Sequence, residues 1–141
     1  MKRFHYLGLI IFVVFFLSGC VTTLKNYKPK NADEAQIKDL LIQWEQTWNN
    51  GDVPGHLALW NDNAKIMYGK DRKIATKKEY VKILPERMRA IPSISLGSPT
   101  IKKTGNNADV DVNMSIGSYQ SSTTYHLIKE HNNWSILSWN Y

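Results

Sequence analysis

The run Ala108-Asp109-Val110-Asp111-Val112-Asn113-Met114-Ser115-Ile116 decides the fold, because apolar and polar residues alternate through it without a break. In an extended chain successive side chains point to opposite faces. Ala108, Val110, Val112, Met114 and Ile116 therefore share one face, and Asp109, Asp111, Asn113 and Ser115 share the other. This is the pattern of a strand with one buried side. Gly105-Asn106-Asn107 precedes it and Asn132-Asn133 follows further on, and both stretches suit hairpin turns. Four meandering antiparallel strands are expected, over residues 95–103, 108–119, 123–131 and 134–141.

Upstream the apolar period changes to that of a helix. Ile37, Leu40, Leu41, Trp44 and Trp48 recur at helical spacing, so one face is wholly apolar. Asn31 with Glu34 offers a capping box at its start, and Asn49-Asn50-Gly51 ends it. Asp52 caps a second, short helix with Pro54 near its first position, running to about Trp60. A short hairpin follows, with strands at 64–68 and 72–74 around the turn Gly69-Lys70-Asp71. Thr76 and Glu79 form another capping box and open a third helix through Tyr80, Val81, Leu84 and Met88. Pro85 inside that helix is expected to kink or shorten it. Helices first and strands after predict an α+β arrangement, with the helices on one face of a curved sheet.

The first 20 residues read differently. Lys2 and Arg3 precede an unbroken apolar run of nine residues from Leu9 to Leu17. A membrane-spanning helix needs about 20 apolar residues, so this layout is that of a secretory signal. Leu17-Ser18-Gly19-Cys20 looks like the bacterial lipobox, in which the cysteine is acylated and the bond before it is cut. Cys20 is the chain's sole cysteine, which excludes an intramolecular disulfide and a multi-cysteine metal site. Val21 follows it, where inner-membrane retention would want Asp. The implied address is the cell envelope, lipid-anchored, on the outer membrane facing the periplasm if the cell is Gram-negative. The expected organisation is a signal over 1–19, a lipidated tether over 20–30 and one domain over 31–141. Removing residues 1–19 takes away Lys2 and Arg3 and lowers the formal charge from +6 to +4. Nucleic acid is not an expected partner outside the cytoplasm; the membrane, through the anchor, is.

The order of elements over 31–141 resembles the nuclear-transport-factor-2-like superfamily, in its SnoaL-like branch. The resemblance is carried by Trp44-Glu45-Gln46-Thr47-Trp48-Asn49-Asn50-Gly51-Asp52, by Leu57-Ala58-Leu59-Trp60 and by the closing Asn133-Trp134-Ser135-Ile136-Leu137. It implies a cystatin-like, cone-shaped α+β roll: three N-terminal helices packed on a curved, mostly antiparallel sheet that leaves a pocket. It does not imply one function, because enzymes, binding modules and assembly domains share the scaffold.

In such a roll Trp44, Trp48, Tyr68, Tyr125 and Trp139 could line an aromatic cavity for a small apolar ligand. The competing reading is plain core packing. His126 is the candidate for proton transfer, in an isomerase- or dehydratase-like reaction that would use a pocket His or Tyr. Yet if Tyr125 and Leu127 face the core, His126 faces outward. His56 and His131 read as exposed, as do Asp109 and Asp111, and no acid–base pair is forced into the pocket. No histidine pair has metal-ligand spacing and no phosphate loop appears, so neither a metal nor a cofactor is expected. Between Lys70 and Arg89 eight cations face three carboxylates, a net +5 that reads as a solvated or lipid-facing basic face. Trp134 and Ile136 fall on one side of the last strand and Leu137, Trp139 and Tyr141 on the other. Two apolar faces would suit a homodimer formed through the sheet. The function expected is a non-catalytic envelope lipoprotein that binds a small ligand or a protein partner.

Overall fold

The computed structural model describes residues 23–141, so the signal segment and Cys20 lie outside the described residues. Three helices precede most of the sheet: α1 (Ala32–Asn49), α2 (Val53–Ala58) and α3 (Lys77–Ala90). The strands are β1 (Trp60–Tyr68), β2 (Lys73–Thr76), β3 (Ser95–Leu96), β4 (Thr100–Thr104), β5 (Asn107–Ile116), β6 (Tyr119–Glu130) and β7 (Asn133–Asn140). They form one seven-stranded sheet in the order β2-β1-β7-β6-β5-β3, with β4 also paired to β5. Among the described residues only β1 and β7 run parallel.

The apolar stripe of α1 behaves as its spacing predicts: Ile37, Leu40, Leu41, Trp44 and Trp48 are all buried. They share one core with the inner face of β5, where Ala108, Val110, Val112 and Met114 are buried and the intervening residues are not. Each large side chain so buried contributes about 1.5–3 kcal/mol relative to exposure. Thr76 and Glu79 complete their capping box at the start of α3. At α1 only half of the expected box forms. Asn31 accepts from the Glu34 amide at 2.9 Å, but the Glu34 carboxylate turns back to the Lys30 amide at 2.8 Å and the Tyr27 hydroxyl at 2.7 Å.

Several expectations are corrected. The short second helix stops at Ala58, and Trp60 opens β1, because its indole is drawn into the core between α3 and β7. The strand expected over 95–103 is two strands, since Gly97-Ser98-Pro99 removes one ladder donor and bends the chain. Pro85 does not shorten α3, which continues to Ala90. The segment before Asn31 is not free of structure over its described part. Thr23 bridges Gly97, Leu24–Asn26 forms a single 3-10 turn, and Leu24 is only 2% exposed. Lys38 secures this segment by donating to the Lys25 and Tyr27 carbonyls at 2.9 and 2.7 Å.

The last strand does not present two apolar faces. Leu127 pairs with Ile136 while His126 pairs with Ser138, so Leu137 is an extra residue in β7, a bulge. The bulge shifts the alternation by one. Trp134 and Ile136 before it and Trp139 after it are all buried on the inner side. The ground for expecting a covered outer face at these residues is thereby removed.

Candidate functional site

Stacking one helical turn apart on α1, Trp44 and Trp48 have ring centroids 5.5 Å apart and planes at 16°. Trp44 then meets Tyr125 of β6 edge-on at 5.6 Å, Trp139 of β7 at 5.6 Å and His56 of α2 at 5.0 Å. Trp60 joins through Trp139 at 6.0 Å, and Tyr80 of α3 joins through Trp60 and Tyr68, each at 6.3 Å. The five aromatic residues singled out from the sequence thus gather in one cluster. Trp44 and Tyr125 are wholly buried in it, which is core packing. Trp48 and Trp139 do both, since one edge of each reaches a cavity.

That cavity, of about 400 Å³, opens at the end of the roll. Ile91 and Ile94 close one side, Met114 and Ile116 of β5 the other, and Tyr119, Ser121, Trp139 and Tyr141 the sheet end. The turn at Gly69 and Lys70 and the side chain of Arg87 complete its wall. Its indoles are fixed from outside: Trp48 Nε1 donates to the Ile91 carbonyl and Trp139 Nε1 to the Met67 carbonyl, both at 2.7 Å. The Tyr141 hydroxyl donates to the Gly69 carbonyl at 3.0 Å. No aspartate or glutamate lines this cavity. A larger concavity of about 540 Å³ lies where the docked N-terminal segment meets β3. Its walls are mainly Ser, Thr, Asn, Gln and backbone, and its one carboxylate, Glu45, is occupied by the Leu96 amide at 2.7 Å. The apolar walls that drive ligand burial belong to the smaller one.

Around the aromatic cluster lie buried polar atoms without a partner: Trp44 Nε1, Trp60 Nε1, Tyr80 Oη, Arg87 Nε, Thr123 Oγ1, Tyr125 Oη and His56 Nε2. Buried polar groups in folded proteins are almost always hydrogen-bonded, so such a concentration marks a place where a partner is wanting. Thr123 and Tyr125 continue inward the row that Ser121 begins at the cavity, since alternate residues of β6 share a face. Burial pushes the Tyr80 phenol up to about 12, partly offset by Arg87 beside it. Burial likewise raises Tyr125 well above the ordinary phenol value. Both therefore keep their O–H protons at neutral pH.

His56, read from the sequence as exposed, is wholly buried. Its Nδ1 lies 3.0 Å from Thr47 Oγ1, whose hydroxyl is itself 2.7 Å from the Gln43 carbonyl. Burial lowers its pKa from 6.5 to about 4, so the ring is neutral at pH 7. His126 is not brought to the cavity. It stands on the outward face of the sheet, with Nδ1 2.7 Å from Asp109 Oδ1 and Nε2 3.0 Å from Asn140 Nδ2. Tyr125 and Leu127 turn in, so their neighbour turns out. Sequence reasoning missed Arg87, Tyr80, Tyr141 and His56. Arg87 had a legible signal, for it lies seven residues after the core residue Tyr80, two turns along the same helix face. Among the described residues no group of three His, Cys, Asp or Glu side chains could hold a metal ion, and no helix is long and apolar enough to cross a membrane.

Helices packed on a curved mixed sheet, with the sheet closing to a cavity at one end, define the cystatin-like fold of nuclear-transport-factor-2-like proteins, and this chain has it. A cystatin-like protein of unknown function from Nostoc punctiforme is similar at 14% identity over 76% of this chain and 87% of its own, with a TM-score of 0.65. A nuclear-transport-factor-2-like protein from Shewanella baltica is similar at 13% identity over 80% and 96% of the two chains, TM-score 0.63. One from Pseudomonas putida matches at 18% identity over 77% and 84%, TM-score 0.62. Identities this low establish the fold alone. No family model matches the chain, and no curated protein matches it in sequence.

Proposed function

We propose that this chain is a lipid-anchored module of the cell envelope that binds a small ligand in the cavity beside Trp48 and Trp139, without catalysis. The observation that carries the reading is the composition of the cavity: mainly apolar and aromatic walls, two cations and no Asp or Glu side chain. Proton-transfer chemistry in a pocket needs a base and an acid within reach of one substrate. Here the histidine with a carboxylate partner lies on the opposite face of the sheet. The anchor at Cys20 rests on the signal-like run and lipobox-like residues that precede the folded domain.

Binding is tested on the full chain reconstituted in zwitterionic vesicles, titrated with a panel of small apolar compounds. Tryptophan fluorescence is the readout, because Trp48 and Trp139 wall the cavity. A saturable change that Ile116→Trp abolishes by filling the space supports the reading. A change indifferent to that substitution, or chemical turnover of a bound compound, overturns it.

A further inference from the structure

We infer that the cavity selects a small acid with an apolar body, its single anionic head held by Arg87 and its body lying between Ile91, Ile94 and Met114. This rests on the ligand-binding reading above and adds the charge of the ligand. Two cations from different elements converge on the wall, Lys70 from the turn after β1 and Arg87 from α3, with no Asp or Glu side chain among the lining residues. The Tyr141 main-chain oxygen is engaged by Arg72 at 2.8 Å. Lys70 is exposed on its turn, so water can solvate it. Arg87 differs, because its Nε is buried and has no acceptor. A guanidinium held in that way is left with part of its donor fork unsatisfied, and a planar carboxylate matches that fork in both geometry and charge.

The neighbouring groups agree in sign. The buried Tyr80 hydroxyl lies beside Arg87 on the same helix face, near enough to accept from its guanidinium, while its own O–H finds no acceptor. Both can donate to a head group that brings only acceptors. Ser121, Tyr119 and Tyr141 add hydroxyl groups to the wall, and the rest is isoleucine, methionine and indole, which suit a hydrocarbon or aromatic body. A volume of about 400 Å³ fits an acid of the size of octanoate or phenylbutyrate.

The test titrates the full chain in zwitterionic vesicles with octanoate and, separately, with octanol, each against the same vesicles without protein. Octanoate is expected to bind at least about tenfold more tightly, the usual margin of a charge-assisted hydrogen bond. Arg87→Gln should remove that margin and leave octanol within about twofold, while Arg87→Lys restores part of it. Added salt should weaken octanoate and spare octanol, a comparison that needs no variant. Octanol binding as tightly as octanoate, or an octanoate preference untouched by Arg87→Gln, overturns the acid assignment while cavity binding stands. If neither compound binds, the ligand-binding reading falls with it.

Discussion

Packed against Trp44 at 5.0 Å and Trp48 at 5.5 Å, the ring of His56 has no route to water. In the folded chain it takes a proton only near pH 4, against 6.5 when unfolded. Between those values the unfolded chain binds a proton that the folded chain refuses. Stability is therefore complete above pH 6.5 and declines as the pH falls toward 4, by on the order of 3 kcal/mol. Urea unfolding at pH 7 and pH 4.5 checks this. His56→Phe, which cannot titrate, should flatten the decline, and an equally steep decline in that variant would refute the assignment. A neighbouring prediction concerns Gly55. Its amide donates to Asp52 Oδ1 at 3.0 Å, and a methyl group at Gly55 would strike that same carboxylate. Gly55→Ala should thus cost about 1 kcal/mol, the worth of a lost cap, read as a fall in melting temperature. Caps of this kind are legible in sequence because donor and acceptor are three residues apart. The burial of His56 is not, because the wall that covers it comes from another helix.

At the scale of elements, period and caps located all three helices and the main strands, but one irregularity redirects the site. Leu137 bulges from β7, and only because of it does Trp139 face Trp44 and Tyr125 instead of solvent. Strict alternation from Trp134 places Trp139 on the wrong side, which is why the sequence suggested an apolar outer face. A bulge leaves no composition signal when the residue in it is an ordinary leucine. Deleting Leu137 should remove the bulge and leave Trp134, Ile136 and Trp139 on one face by plain alternation, with the Trp139 bond to the Met67 carbonyl kept. The expected loss is about 1 kcal/mol or less, far below the roughly 3–5 kcal/mol of losing a buried tryptophan. Leu137→Ala keeps the bulge and should cost similarly little, since Leu137 is only partly buried. A loss of about 3–5 kcal/mol on deletion, read from urea unfolding, would show that Leu137 is not the spare residue of the strand.

For the whole molecule, what matters is how the folded domain meets its proposed anchor. Read as an irregular tether, the ten residue steps from Cys20 to Lys30 would let the domain stand up to about 35 Å from an acylated cysteine. The docked segment alters that geometry. Thr23 is bridged to Gly97 and Leu24 is buried, so Cys20 is three residue steps, at most about 10 Å of chain, from the body of the fold. The cavity is close to the same place, because Ile94 in its wall is three residues from Gly97 and Met114 pairs with Leu96. An anchored domain would hold its cavity near the bilayer surface, where acids with apolar bodies concentrate. Sequence could not show this, since Leu24 has no periodic neighbours and its burial depends on contacts distant along the chain. Two variants test the geometry in order. Cys20→Ser should release the protein from membranes, and continued firm attachment would refute the anchor. With Cys20 intact, a dye on Ser98→Cys should be quenched strongly by quenchers carried on the lipid head groups, because Ser98 adjoins the bridged Gly97. Adding Leu24→Asp places a charge in the buried site and should undock the segment, weakening that quenching as the longer reach becomes available. Hydrogen exchange should rise at Asn26 and Tyr27, whose amides donate to the Thr23 and Leu24 carbonyls in the docked turn. Quenching unchanged by Leu24→Asp, together with that raised exchange, would mean that docking does not set the distance between domain and membrane.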